Sequence, residues 1–282
     1  MTSEILDLAI ELAKGAGRIL REHLESRGTD EGTLEFKGRR ELVTAADKRA
    51  ETHLVEGIQA RYPDHGILAE EGVLTPAGSS HQESDFTWVL DPLDGTTNFV
   101  HGHPFFAVSI GVLRAGAPWL GVIHAPMVGG RDGGELYHGG PEHGSFLDGS
   151  PIRVSSNARL RDAVVGTGFS YNRNEEGVNT NLGNFGRALM QVRGIRRCGS
   201  AALDLAQVAA GRYDAFWEMY LQPYDVAAGM ALVLGAGGRI STLGSPEDPV
   251  HCGEILASNG VIEAELLPIL DGTSQGFRTR GT

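Results

Sequence analysis

Residues 88–99 read Trp-Val-Leu-Asp-Pro-Leu-Asp-Gly-Thr-Thr-Asn-Phe. An apolar, strand-like run (Trp88, Val89, Leu90) stops in two carboxylates, Asp91 and Asp94, which the flanking Pro92 and Gly95 suggest are held in a turn. Two hydroxyls, Thr96 and Thr97, follow at once. A buried strand that ends in clustered acids is costly unless a cation neutralises them. Hard divalent ions such as Mg²⁺ take oxygen ligands in a tight, near-octahedral set. The stretch therefore reads as a metal site. Gly95 allows close approach to the backbone, and Thr96-Thr97-Asn98 can open a helix whose N–H groups and positive dipole end suit a phosphate. Carboxylates gathering Mg²⁺ beside such a place fit metal-assisted hydrolysis of a phosphate ester, in which two ions roughly 3.5–4 Å apart activate water and stabilise the leaving oxygen.

The rest of the chain is compatible with that chemistry. Its 282 residues are 41% hydrophobic and 21% charged, an ordinary globular balance, large enough for one big domain or two packed units. It carries 40 glycines, twice the usual ~7%, which suits many tight turns and close backbone contacts. A formal net charge of −12 argues against nucleic acid as a partner. Two cysteines, Cys198 and Cys252, lie far apart in no ligand-like spacing, which argues against a disulfide scaffold and for a reducing compartment. No apolar run nears the ~20 residues needed to span a bilayer, and no secretory signal is evident. The expectation is a cytoplasmic protein without membrane contact.

Apolar residues Ile5, Leu8, Leu12, Ala16, Ile19 and Leu20 recur at helical spacing and predict an amphipathic helix over 4–24. Residues 26–41 read as a loop or short hairpin, a second helix runs from Thr44-Ala-Ala-Asp47 to about Arg61, and 66–69 is a short strand ending in Glu70-Glu71. Residues 72–85 read as a surface loop. Strands follow at 106–113, 119–124, 135–138 and 144–147, with Asp148-Gly149 as a hairpin turn. This half predicts a helix pair on a largely antiparallel sheet. After Pro151 strands and helices alternate: strands at 163–165, 196–198, 213–217, 238–241 and 254–257, helices at 180–192, 201–210 and 226–234. A second sheet with packed helices results. With no long linker or repeat, residues 1–282 read as one domain made of two sheet units, about 1–150 and 151–282.

Four acidic positions fall at strand ends or helix starts: Asp47, Glu70, the pair Asp91/Asp94, and Asp225. Asp47 stands three after Thr44 and equally suits a capping box, and Asp225 equally suits the N-cap of the next helix. Glu70 with Glu71 equally suits a solvated strand end. The Asp91/Asp94 pair, after a buried run and with Pro92 between, is the hardest to explain as a turn alone.

Taken together, these motifs resemble the inositol monophosphatase family. The family pattern is met in full over 91–99, continues through Val100-His101, and is joined by Glu70-Glu71, by Thr44 with Asp47, and by Tyr224-Asp-Val-Ala-Ala-Gly229. The resemblance spans nearly the whole chain and implies an αβαβα-layered sugar-phosphatase fold. It implies Glu70, Asp91, Asp94, Asp225 and the carbonyl of Leu93 as ligands for two or three Mg²⁺ ions. It implies Thr96 and Asp47 as the pair that orients and deprotonates the attacking water, assisted by Glu70, with the N–H groups of Gly95 and Thr96 cradling the phosphate. It implies Asp94 and Asp225 as substrate contacts too, places Ser200 and Ala201 where the family touches the sugar ring, and places Glu218 where it accepts a hydrogen bond from a ring hydroxyl, although a lone Glu218 also suits a solvated loop. Tyr224 replaces the family's usual Trp and Ala69 its common Gly, and neither change removes a ligand.

The implied activity is hydrolysis of a phosphate monoester, inositol 1-phosphate first. The same chemistry on fructose 1,6-bisphosphate, histidinol phosphate, a 3′-phosphonucleotide or NADP is the alternative, as is a regulatory binding role. A homodimer and lithium sensitivity are further implications. His101 and His103 lack a third ligand for zinc. Gly235-Ala-Gly-Gly238 follows a helix, the wrong context for a dinucleotide loop. Arg193, Arg196 and Arg197 read as a solvated face or a subunit contact.

Overall fold

The computed structural model describes residues 2–26, 34–37, 41–70, 72–74, 84–129, 133–244 and 248–272. The chain opens with α1 (Thr2–Ser26), a hairpin of β1 (Leu34–Lys37) and β2 (Glu41–Thr44), and α2 (Ala45–Arg61). Then come β3 (Gly66–Ala69), β4 (Gly72–Leu74), β5 (Phe86–Asp94) and the short α3 (Thr96–Val100). Strands β6 (Ala107–Arg114), β7 (Ala117–Ala125), β8 (Glu135–Gly140), β9 (Gly144–Leu147) and β10 (Ser150–Ile152) follow. The second half contains β11 (Val164–Thr167), α4 (Leu182–Leu189), β12 (Gly194–Arg196), α5 (Ala201–Ala209), β13 (Ala215–Met219), α6 (Pro223–Gly235), β14 (Arg239–Ser241), β15 (Glu254–Ser258) and α7 (Glu263–Leu270).

The first sheet has eight strands in the order β10-β9-β8-β7-β6-β5-β3-β4, antiparallel except where β3 runs parallel to β5. The second has five, β12-β11-β13-β15-β14. Both are buried on both faces. In β5, Trp88 and Leu90 point to one side and Val89 to the other, as a period of two requires. The first pair joins a core with Ile5, Leu12 and Leu20 of α1 and Leu54 and Ile58 of α2. Val89 joins a second core with α5, α6 and, from the other sheet, Phe216 and Ile255. A third core packs Ala188 of α4 and Leu266 and Leu270 of α7 on Trp217 and Leu256. The layers are therefore α1/α2, sheet, α5/α6, sheet, α4/α7, which is the expected αβαβα sandwich.

The middle helices come unusually close to the first sheet. Gly111 of β6 and Gly121 of β7 are directly opposed in register. A Cβ on Gly111 would fall 2.7 Å from the Cβ of Ala227, and one on Gly121 would overlap the carbonyl oxygen of Ala228. Helix α6 thus rests on bare backbone, and its first turn is set beside the end of β5.

Three local expectations are corrected. The strand does not stop at Leu90: Asp91-Pro-Leu-Asp94 continues it, paired to β6 at Asp91 and Asp94 across a register shift. A bulge is where an inner strand tolerates proline and can re-aim its side chains. Part of the supposed loop 72–85 is strand β4, paired antiparallel to β3, while 75–83 lie outside the described residues. Helix α7 was not foreseen; Pro268 inside it hides the pattern.

Candidate active site

Four acids of the cavity wall converge from three segments. Asp91 (3% exposed) and Asp94 (8%) come from the bulged end of β5, Asp225 from the first turn of α6, and Glu70 from the residue after β3. One carboxylate oxygen from each of Asp91, Asp94 and Asp225 can be chosen so that all lie within 4.8 Å of one another. Among the described residues, no lysine or arginine forms an ion pair with any of the three. The carboxyl of Asp91 is held well above the ordinary range, first by burial and then by the charges of Asp94, Glu70, Asp225 and Asp47. Burial also leads at Asp225, whose carboxyl is likewise pushed well up. Asp94 rises only to about 6, because the Ser200 hydroxyl and the N–H groups of Ala202 and Ala201 offset its burial. An all-oxygen donor set with unneutralised, partly buried charge fits a hard divalent cation.

Local folding holds these groups still. The Leu93 N–H donates to Asp91 Oδ1 at 3.0 Å. The hydroxyl of Ser200, the N-cap of α5, donates to Asp94 Oδ2 at 2.5 Å, and the Ala202 N–H donates to the same oxygen at 2.8 Å. Asp225 is the third residue of α6 rather than its N-cap, and its carboxylate accepts from the N–H of Gln222 at 2.6 Å. Between β5 and α3, Gly95 sits at φ +88°, and a Cβ there would meet Phe105 O at 3.1 Å and Gly199 O at 3.3 Å. The Asn98 amide donates to Phe105 O at 2.6 Å and Cys198 O at 2.8 Å, tying α3 to the segment before α5.

These residues open on a cavity of about 620 Å³. Its wall includes Glu70, Asp91, Leu93, Asp94, Gly95, Thr96, Ser200, Ala201, Glu218 and Asp225. Asp47 is buried and does not form part of that wall, although its charge is felt at Asp91. The Thr96 hydroxyl donates to the carbonyl of Leu93 at 3.1 Å. Glu218 is not on a loop: it lies on β13, its carboxylate fills the space a side chain on Gly168 would need, and burial raises it to about 8. Glu71 and the side chain of Thr44 lie outside what is described.

Sequence reasoning missed several wall residues. Arg197 lines the cavity, and its charge bears on Glu218 and Asp204, whereas Arg193 pairs with Asp162 at 3.0 Å. Tyr171 lines it too, with its hydroxyl 3.2 Å from that of Thr97. Asp204 had a readable signal. It is the one acid in the run Ala-Ala-Leu-Asp-Leu-Ala-Gln-Val-Ala, a helix buried on every side.

Fold and site together define a layered α/β protein with a carboxylate centre for hard cations at the edge of a polar cavity. The chain belongs to the inositol monophosphatase family, whose pattern matches residues 1–274. It is 41% identical over 247 residues to an inositol-1-monophosphatase of Synechocystis sp., covering 87% of this chain and 82% of that one. It is 40% identical over 256 residues to the Nus factor SuhB of Pseudomonas aeruginosa, covering 90% and 91%. The structure of an inositol monophosphatase from Anabaena (Nostoc) sp. superposes with a TM-score of 0.82 at 39% identity, covering 95% of this chain and 96% of that one.

Proposed function

We propose that the protein is a Mg²⁺-dependent phosphate monoester hydrolase acting first on inositol 1-phosphate, by direct attack of water and without a covalent phospho-enzyme. The observation that carries this reading is the meeting of Asp91, Asp94 and Asp225 within 4.8 Å at the edge of a polar cavity. Family membership and the relatives named inositol-1-monophosphatase support it. Glu70, Asp91, Asp94, Asp225 and the Leu93 carbonyl would hold two or three Mg²⁺ ions, which supply positive charge against the phosphate oxygens and make water more acidic. In this reading Thr96 and Asp47 orient the water and take its proton, with Glu70 assisting. The N–H groups of Gly95 and Thr96 hold the phosphate, and Ser200, Ala201 and Glu218 face the alcohol. Ser200 has a second duty, since its hydroxyl fixes Asp94. What the fixed groups contribute is positioning and electrostatic complementarity.

We read the two sheets, which share the α5/α6 layer, as one domain, and the protein as a lithium-sensitive, cytoplasmic homodimer. Among the described residues no helix is long and apolar enough to cross a membrane. A panel of esters (inositol 1-phosphate, fructose 1,6-bisphosphate, histidinol phosphate, a 3′-phosphonucleotide, NADP) assayed for kcat/KM with Mg²⁺ tests the substrate. Inositol 1-phosphate should lead, and preference for another ester replaces it. A regulatory role has one support, the relative named a Nus factor. No phosphate release from any ester, together with a co-purifying partner, would favour that role.

A further inference from the structure

Asp204 has no place in the reading above, yet its position demands one. It is 1% exposed, sits in the first turn of α5, and belongs to the cavity wall. Its Oδ1 is buried with no hydrogen-bond partner. A buried carboxyl oxygen left unpaired is expensive, so natural folds rarely keep one without a use. The charges that bear on it are those of Glu218, Asp94 and Arg197. Of these, Asp94 is already held by Ser200 and Ala202, which leaves Glu218 as the carboxyl for Asp204 to act on.

We propose that Asp204 is a positioning residue for the alcohol part of the substrate: its carboxyl braces Glu218 in the cavity wall, so that Glu218 receives a hydroxyl of a polyol phosphate. The wall thus selects esters whose alcohol carries a hydroxyl beyond the phosphate. This rests on the phosphatase reading and extends it to a residue that reading leaves idle. Two neighbouring carboxyls cannot both ionise cheaply, and burial followed by the charge of Glu218 holds Asp204 well above the ordinary range. Burial raises Glu218 as well, so the pair keeps a proton, which in this proposal Asp204 donates toward Glu218. Arg197, whose charge favours ionised Glu218, completes the arrangement. A site built to bond a hydroxyl rejects an alcohol lacking one more sharply than an apolar pocket can.

The test compares kcat/KM for myo-inositol 1-phosphate and for p-nitrophenyl phosphate, which has no alcohol hydroxyl, in the full-length protein with Mg²⁺. The ratio of the two should fall about tenfold or more in Asp204→Ala, chiefly through KM for the inositol ester. Asp204→Asn should keep most of the ratio, because its amide still donates. In a Glu218→Gln background, Asp204→Ala should lower the ratio no further. An equal loss on both esters, an unchanged ratio, or additive losses with Glu218→Gln overturns the role of Asp204. If Asp204→Ala does not fold, loss of the ratio in Asp204→Asn does so instead. A wild type that cleaves p-nitrophenyl phosphate but no polyol phosphate overturns the alcohol-reading wall while leaving a phosphatase. A wild type that cleaves neither overturns the phosphatase reading itself.

Discussion

Asp91 is the residue on which the charge of the centre concentrates, because it is buried and feels four other acids. Its carboxyl, like those of Asp94 and Glu218, has a folded pKa raised above the value an unfolded chain gives. For such a group the favourable contribution is complete below the unfolded pKa and is lost as pH rises through the folded one. For Asp94 that window runs from 3.8 to about 6, and for Glu218 from 4.5 to about 8. Metal-free protein should therefore lose thermal stability steadily between these limits. Mg²⁺ should restore it, by ~2.7 kcal/mol at a hundred times its Kd. Asp91→Asn should raise the Tm of the metal-free protein at pH 8, remove most of the Mg²⁺-induced shift, and abolish turnover. Melting curves with and without Mg²⁺ check the first two and a phosphate-release assay the third, and an undiminished Mg²⁺ shift in the variant would disprove the ligand role. The residues themselves were easy to find, since acids ending an apolar run announce an unmet charge. Asp204 was harder: a lone acid in an apolar run is a signal, but it points to a site only once the helix is known to be buried all round.

At the scale of elements, α6 is the part that most exactingly sets the centre. Its first turn carries Asp225, and its flank lies against Gly111 and Gly121 with no side chain between. A methyl group at Gly121 has nowhere to go and must push the helix off the sheet. Gly121→Ala should cost about 1–3 kcal/mol by overpacking, read from urea unfolding. It should also raise the Mg²⁺ concentration needed for half-maximal activity, because Asp225 shifts relative to β5. Unchanged Mg²⁺ dependence would mean that the helix yields elsewhere. Most elements were legible from periodicity. What was not legible traces to tertiary context: Pro92 looks like the end of β5 but occupies a bulge inside it, and β4 forms only because β3 is there to pair with. The glycine pair is invisible in sequence, for nothing in the chain shows that positions 111 and 121 face each other.

Across the whole molecule, the acidic surplus has a local destination. The net charge of −12 includes a centre that wants cations, so part of the surplus is cancelled when they bind. The three cores lie between five layers, and the middle layer serves both sheets. Neither half can hide its inner face without α5 and α6. A chain cut to residues 1–150 should be insoluble or bind the dye ANS strongly, while the full chain stays in solution and dark. A soluble, well-ordered fragment would show that the first sheet can close on itself.

The shared layer also sets a schedule. A ribosome releases β5, β6 and β7 some eighty residues before the helices that cover them, at ~5–20 residues per second. For those seconds the future floor of the centre is an open apolar sheet with two acids at its rim. Residues 200–235 arrive last to cover it, and they bring Ser200, Asp204 and Asp225 along. The act that buries the sheet is thus the act that assembles the site, and a half-made chain carries no working centre that could capture metal or phosphate early.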